Sequence, residues 1–279
     1  MTYWANKQYL IYNVHGRLNG PAGPWGSIYY DENIFAMLLL ATMPFVFYLA
    51  LIAKNKVIKY ALFFVLPFGW HAVFLTGSRG GLITLFIVSI LISFRSLKGS
   101  YILGFLLMLM IAFAWQGGSI MKQRAGTIDN YSEDESAMGR IDAWSAAIEM
   151  AKAHPFTGVG FAAFGQAFSS FSNERPRVAH NTFFQLLGEN GLLGACSFLG
   201  IILYPICKLF ALAKRIKRTN IMADRTLLFS IEAILASLIS FGVSAIFLSL
   251  DQYDIFYVLI VMANFIILYG NNRIFSGGK

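Results

Sequence analysis

Seven apolar runs, at roughly residues 34–53, 58–75, 82–94, 101–115, 183–213, 226–250 and 255–269, constrain this chain more than any other feature. A helix needs about 20 apolar residues to cross about 30 Å of hydrocarbon, and in lipid only helices and closed barrels satisfy every backbone amide. Several runs are shorter than that, but their number and composition predict an all-α, polytopic bundle of about seven transmembrane helices. At 57% hydrophobic and only 13% charged residues, with 26 Phe, the chain also lies outside the composition of a soluble domain. No internal repeat of 20–50 residues is present.

Charge orders these runs. Lys54, Lys56 and Lys59, then Arg95 and Lys98, then Lys214, Arg215, Lys217, Arg218 and Arg225 fall on alternate connections, which the positive-inside rule makes cytoplasmic. Most acids, among them Asp31, Glu32, Asp251 and Asp254, fall on the other set, with Asp224 the exception. The net charge of +8 is therefore a matter of orientation, and no basic patch interleaved with stacking aromatics points to nucleic acid. The resulting organisation is an extracytoplasmic N-terminal segment (1–33), four transmembrane helices (34–116), an extracytoplasmic loop with short amphipathic helices (117–181), and three transmembrane helices with a cytoplasmic tail (182–279). The first segment mixes aromatics with Gly, Pro and Asn and reads as irregular surface chain. No cleavable signal precedes the first span, so an outside N-terminus implies the C-terminal part of something longer, or a late start. Cys196 and Cys207 share one apolar run, about 16 Å apart along a helix axis at ~1.5 Å per residue, too far for a disulfide; both read as small core residues.

Polar chemistry concentrates between Gly139 and Gly194. Residues 136–153 read as a short helix outside the membrane, ended by Pro155, with Ile141, Trp144, Ile148 and Ala151 as its apolar stripe. Arg140 lies four before Trp144, so the two are neighbours on it. The helix either rests on the bilayer surface or, in addition, points Arg140 at a phosphate. His154-Pro-Phe-Thr-Gly-Val-Gly resembles a phosphate cradle but reads better as a turn into the next helix. His180 precedes a helix on which Phe184, Leu187, Gly191 and Gly194 fall on nearly one face, leaving a groove of small residues under the imidazole. That face serves either helix packing or, with Arg175 and Arg177 beside it, a histidine placed to take a proton from an attacking hydroxyl.

Outside that stretch, Arg79 stands in Thr76-Gly-Ser-Arg-Gly-Gly, between two spans too close for a real loop. A charge at the bilayer centre costs about 2.5–3.5 kcal/mol, so Arg79 lies near the outer surface. It either snorkels to headgroups or, with glycines allowing close approach, binds an anion. His71 and Glu232 are ionisable groups within spans and read best as satisfied interior hydrogen bonds. Asp129, Glu133, Asp134 and Glu135 match no metal-loop spacing and read as a solvated acidic run.

Taken together, Gly20-Pro-Ala-Gly-Pro through Asp31-Glu-Asn, Gly77-Ser-Arg-Gly-Gly, Ser136-Ala-Met-Gly-Arg-Ile-Asp-Ala-Trp, Pro155-Phe-Thr-Gly-Val-Gly and Ala179-His-Asn-Thr-Phe-Phe-Gln-Leu-Leu-Gly-Glu-Asn-Gly resemble the O-antigen ligase and polymerase family. The nearest likeness is to the O-glycosylation ligases associated with exosortase A systems. The resemblance covers nearly the whole chain but only about the C-terminal two thirds of the family pattern. The family's histidine followed by ten residues and a glycine is met by His180 and Gly191; its Arg-x3-Leu is not, because Leu82 stands third after Arg79 and Ile83 fourth. The resemblance implies His180 as the activating base and Arg79 and Arg140 as ligands of the diphosphate in an undecaprenyl-diphosphate-linked glycan, with no metal and no cofactor. Arg175, Arg177 and Lys122 become further phosphate or glycan contacts, and Trp144 and Gly191 supports. The expected protein is a multi-pass glycosyltransferase of the bacterial inner membrane, its site facing the periplasm and its acceptor a protein, lipid or polysaccharide hydroxyl. The alternatives are a polysaccharide polymerase and a non-enzymatic flippase or transporter of lipid-linked sugars; the latter would need polar groups near the midplane, whereas these crowd toward one surface.

Overall fold

Every regular element among the described residues, which in this computed structural model are 1–14, 22–96, 135–218 and 225–276, is an α-helix. In chain order they are α1 (Thr2–Val14), α2 (Glu32–Ile52), α3 (Lys56–Leu75), α4 (Arg79–Ser96), α5 (Glu135–Ala153), α6 (Phe164–Phe171), α7 (Thr182–Arg218), α8 (Arg225–Ser244) and α9 (Asp254–Ser276). Six of them, α2, α3, α4, α7, α8 and α9, are long and apolar enough to cross a membrane. The expected span at 101–115, together with Lys122, Asp129, Glu133 and Asp134, lies outside the described residues.

The described residues divide into two units. One holds α1 to α4, α7 from Ile202 onward, α8 and α9. Its helix starts are written in the sequence: Asp31 accepts hydrogen bonds from the amides of Asn33 and Ile34 to cap α2, and Asn55 does the same for Val57 and Ile58 of α3. The core forms on α2, where Phe35, Leu39 and Leu40 pack with Ala72, Val73 and Phe74 of α3, Leu85 of α4 and Ala5 of α1. Further along, Tyr48 packs with Val88 and Ile92 of α4 and Ala233 and Ala236 of α8. Because lipid tails are as apolar as these side chains, close packing rather than removal from water holds such helices together, and polar pairs act as glue. The glue here is ionic. Glu232, only 1% exposed at its side chain, takes both Nε and a terminal nitrogen of Arg95 and lies 2.9 Å from Lys217 Nζ. The Arg95 guanidinium also stands 4.6 Å over the Phe210 ring. Glu232 is thus the satisfied interior group expected from the sequence. So is His71, whose Nδ1 lies 2.7 Å from Asn6 Oδ1.

That bond belongs to a correction. Residues 1–33 are not irregular throughout: α1 covers Thr2–Val14, and Asn6 ties it to α3 by donating to Phe68 O at 3.0 Å as well as meeting His71. The stabilising partner lies some sixty residues away, so the segment's local composition does not show it. Likewise the run at 226–250 is not one helix. Helix α8 ends at Ser244, and the apolar residues after it serve a different purpose described below. Both cysteines are free, but each is exposed on α7 rather than in the core.

The second unit holds α5, α6, α7 up to Ile201, and residues 245–252. Its core is Ala143, Ala146, Ala147 and Met150 of α5, Phe164 and Phe168 of α6, and Ala179, with Trp144 and Phe184 packed against it. Helix α5 therefore turns its small residues inward. Ile141 and Ile148, of the apolar stripe read from the sequence, are exposed. Alanines let the helix approach its neighbours more closely than isoleucines would, and the two Phe rings of α6 fill the space this leaves.

Candidate active site

His180 is one of two non-glycine residues with positive φ among those described, at +48°. A left-handed conformation costs a side-chain-bearing residue roughly 1–2 kcal/mol and persists only where the surroundings impose it. They do so on both sides. Before His180, Ala179 donates its N–H to Gln185 Oε1 at 3.0 Å and accepts the Trp144 indole N–H at 2.9 Å on its carbonyl. After it, Asn181 caps α7 by accepting from the amides of Phe183 (2.9 Å) and Phe184 (3.2 Å). Asn181 also donates to Ile246 O, while Thr182 donates its amide to Ala245 O (2.8 Å) and its hydroxyl to Leu248 O (2.7 Å) and accepts from Leu250 N. The apolar residues beyond α8 are thus a backbone clamp on the start of α7. Next to this clamp, burial pushes the Asp251 carboxyl above its ordinary range, against hydrogen bonds from its own backbone and Gln252.

The indole that holds Ala179 sits one turn after Arg140 on α5 and stacks on Phe184, with ring centroids 5.1 Å apart and planes 10° from parallel. Arg177 reaches the same helix: its guanidinium lies directly over Gly139, in the space a Cβ would occupy, and its Nε donates to Arg175 O at 3.3 Å. Arg140, Trp144, Arg177 and His180 thus lie on one unit, with Trp144 bonded to the residue before His180 and Arg177 seated on the residue before Arg140. Arg175 adjoins them through that backbone bond. Arg140 is half-buried, Arg175 and His180 are exposed. A second guanidinium against the turn that carries the first raises the positive potential there and favours an anion.

Arg79 is the first residue of α4 in the other unit and is exposed. Ser78 Oγ accepts from Gly81 N at 3.1 Å, closing the first turn. The neighbouring Gly81 does not serve ligand approach: a Cβ there would lie 3.1 Å from Ala36 Cβ, so this glycine lets α4 pack on α2.

Two expectations about the His180 region resolve differently. The 154–160 stretch is a turn, as read from the sequence, and its last three amides are occupied: Gly158 N bonds His154 O, Val159 N bonds Gly188 O, and Gly160 N bonds Glu189 O. Those three amides, the glycine ones of the motif included, are spent on the chain itself. The small-residue face expected beneath the imidazole does not run unbroken, because α7 breaks at Gly191 (φ +63°). Gly191 fits against the turn backbone, where a Cβ would lie 2.5 Å from Phe156 C and 2.7 Å from Pro155 O. Gly158 (φ +63°) meets the Glu189–Asn190 backbone reciprocally. Gly194 is covered by the Asn190 side chain. The glycine eleven positions after His180 thus admits a second backbone to a broken helix.

Sequence reasoning passed over Gln185 and Glu189. Both are buried, and Glu189 accepts from Ala162 N at 3.1 Å, Phe164 N at 3.3 Å and the Gln185 amide. The signal was available: two polar residues four apart on an otherwise apolar helix must face each other or a partner.

No curated protein matches the chain significantly. The O-antigen ligase family model matches residues 62–199, a stretch that contains every residue singled out above from Arg79 to Gly191. That match, with six helices long and apolar enough to cross a membrane, supports a multi-pass membrane protein of the O-antigen ligase family and a function of the glycan ligase or polymerase type.

Proposed function

We propose that the chain is a metal-independent, inverting glycosyltransferase that moves a glycan from undecaprenyl diphosphate to an acceptor hydroxyl on the periplasmic side of a bacterial inner membrane. His180 takes the proton of the acceptor hydroxyl as its oxygen attacks the anomeric carbon from the side opposite the diphosphate. The bond from that carbon to the diphosphate oxygen breaks with its electron pair staying on the oxygen, and undecaprenyl diphosphate leaves. Arg79 and Arg140 hold the diphosphate and stabilise the charge gathering on it, so that guanidinium groups supply the positive charge of the site. Arg175, Arg177 and Lys122 contact phosphate or glycan. Protein, lipid and polysaccharide acceptors all present the hydroxyl this scheme requires.

The observation that supports the reading is that Trp144, one turn after Arg140, bonds the residue before His180, while Arg177 is seated on the residue before Arg140. The test is turnover of undecaprenyl-diphosphate-linked glycan, extracted from the source cell's membranes, by the full chain in proteoliposomes supplied with a membrane extract as acceptor. Release of undecaprenyl diphosphate is followed by mass spectrometry. We expect His180→Ala to slow it ~100- to 10,000-fold and Arg140→Ala ~100- to 1000-fold. Normal turnover by both variants ends this mechanism.

A further inference from the structure

Beyond its first residue, Thr182, helix α7 carries two further buried polar side chains within about its first two turns, Gln185 at 7% and Glu189 at 2% exposure. Burying an amide and a carboxylate on an apolar helix is tolerated only where each finds hydrogen-bond partners. Gln185 uses both ends. Its Oε1 accepts from Ala179 N at 3.0 Å and from Ser249 Oγ at 3.2 Å, and its Nε2 donates to Glu189 Oε1. Glu189 accepts in turn from the amides of Ala162 and Phe164. A carboxylate can only accept from Gln185, so it fixes which end of that amide faces which way. With Nε2 committed to Glu189, the oxygen must face Ala179 and Ser249.

This makes a continuous line of bonds from the 162–164 turn through Glu189 and Gln185 to the residue covalently joined to His180. His180 holds a backbone conformation that local preference disfavours. One of the two bonds restraining Ala179, and with it the peptide leading into His180, comes from Gln185. We propose that Gln185 is a positioning residue for His180, oriented by Glu189, so that the imidazole is presented at a fixed place and angle to the acceptor hydroxyl. The inference rests on the reading of His180 as the base. A misplacement of about 1 Å in a reacting group can cost on the order of 100-fold in rate, so positioning of this kind is kinetically visible.

The experiment compares Gln185→Leu, Gln185→Glu and His180→Ala as full chains in proteoliposomes with the lipid-linked glycan donor. Ring-13C histidine labelling is added, the His180 signal being the one of four missing from His180→Ala. We expect Gln185→Leu to transfer about 10- to 100-fold more slowly with KM for the donor unchanged, and the His180 signal to move while the other three stay. Gln185→Glu keeps an oxygen for the Ala179 amide but sets a second acceptor against Glu189, so it too should transfer more slowly and displace the His180 signal. A slow His180→Ala beside Gln185 variants with normal rate and an unmoved His180 signal would overturn the positioning role while leaving the base in place. Normal turnover by His180→Ala would instead remove the base, and an unmoved His180 signal in Gln185→Leu would then dispose of the positional claim as well. If Gln185→Leu loses its cooperative thermal transition, the same two readouts on Gln185→Glu decide: a normal rate with an unmoved signal counts against the role, a reduced rate with a displaced signal for it.

Discussion

The two units fasten themselves by opposite means. In the membrane-spanning unit, charges are the fasteners: Glu232 gathers Arg95 and Lys217 and joins α4, α7 and α8 in doing so. In the unit that carries His180 the fasteners are mostly neutral, and the one buried carboxylate among them, Glu189, accepts from two backbone amides and the Gln185 amide rather than from cations. An indole, two amide side chains, a threonine hydroxyl and a row of backbone groups hold the chain, while Arg175 and His180 stand exposed. The physical difference is what each arrangement leaves over. A buried carboxylate facing two cations consumes those charges, because separating them would strand ions away from water. Neutral hydrogen bonds can specify a backbone, even a strained one, without drawing on the cationic side chains at its surface. A region meant to bind an anionic ligand is better built in the second way.

The comparison can be broken most severely at Gly191. A methyl group there meets the Pro155–Thr157 backbone and must also take a positive φ, so we expect Gly191→Ala to abolish transfer and to open the 154–163 turn to protease. Normal activity and protection would show that the two backbones do not depend on each other. A large effect of another kind is expected at Glu232. Removing one member of a buried ion pair typically costs about 3–5 kcal/mol, so Glu232→Ala should lower the thermal midpoint in detergent well below that of the parent. Turnover per folded molecule should remain near normal. His180→Ala should show the reverse, stability kept and turnover lost; a shared pattern in the two variants would erase the distinction between the units. The smallest effect is expected for Trp144→Phe, which keeps the ring stacked on Phe184 and loses only the indole bond to Ala179 O. A lost neutral hydrogen bond is worth about 1 kcal/mol, and turnover should fall about fivefold, read as kcat at saturating donor.

Much of this was legible beforehand, and for identifiable reasons. The spanning helices announce themselves because hydrocarbon requires long apolar runs. Helix α5 was legible from its bounds, and Arg140 and Trp144 as its neighbours from helical periodicity. Its buried face was not, since whether alanines or isoleucines turn inward depends on what packs opposite, here Phe164 and Phe168. Helix α1 and the clamp at 245–250 were missed because their partners, Phe68 and His71 for one and Asn181 and Thr182 for the other, are about sixty residues distant.

Composition, the order of the apolar runs and the alternation of basic connections were thus enough to establish a polytopic helical membrane protein, because the bilayer imposes its requirements on each segment separately. The family motif pointed to His180 and Gly191 but could not say what the glycine does. Only the tertiary structure decided that: a break in α7 receives the turn before α6, and Trp144 and Gln185, the latter bonded to Glu189, hold the residue preceding the histidine. Such choices depend on groups that meet only after the chain has folded, and no local pattern of residues encodes which of them will meet.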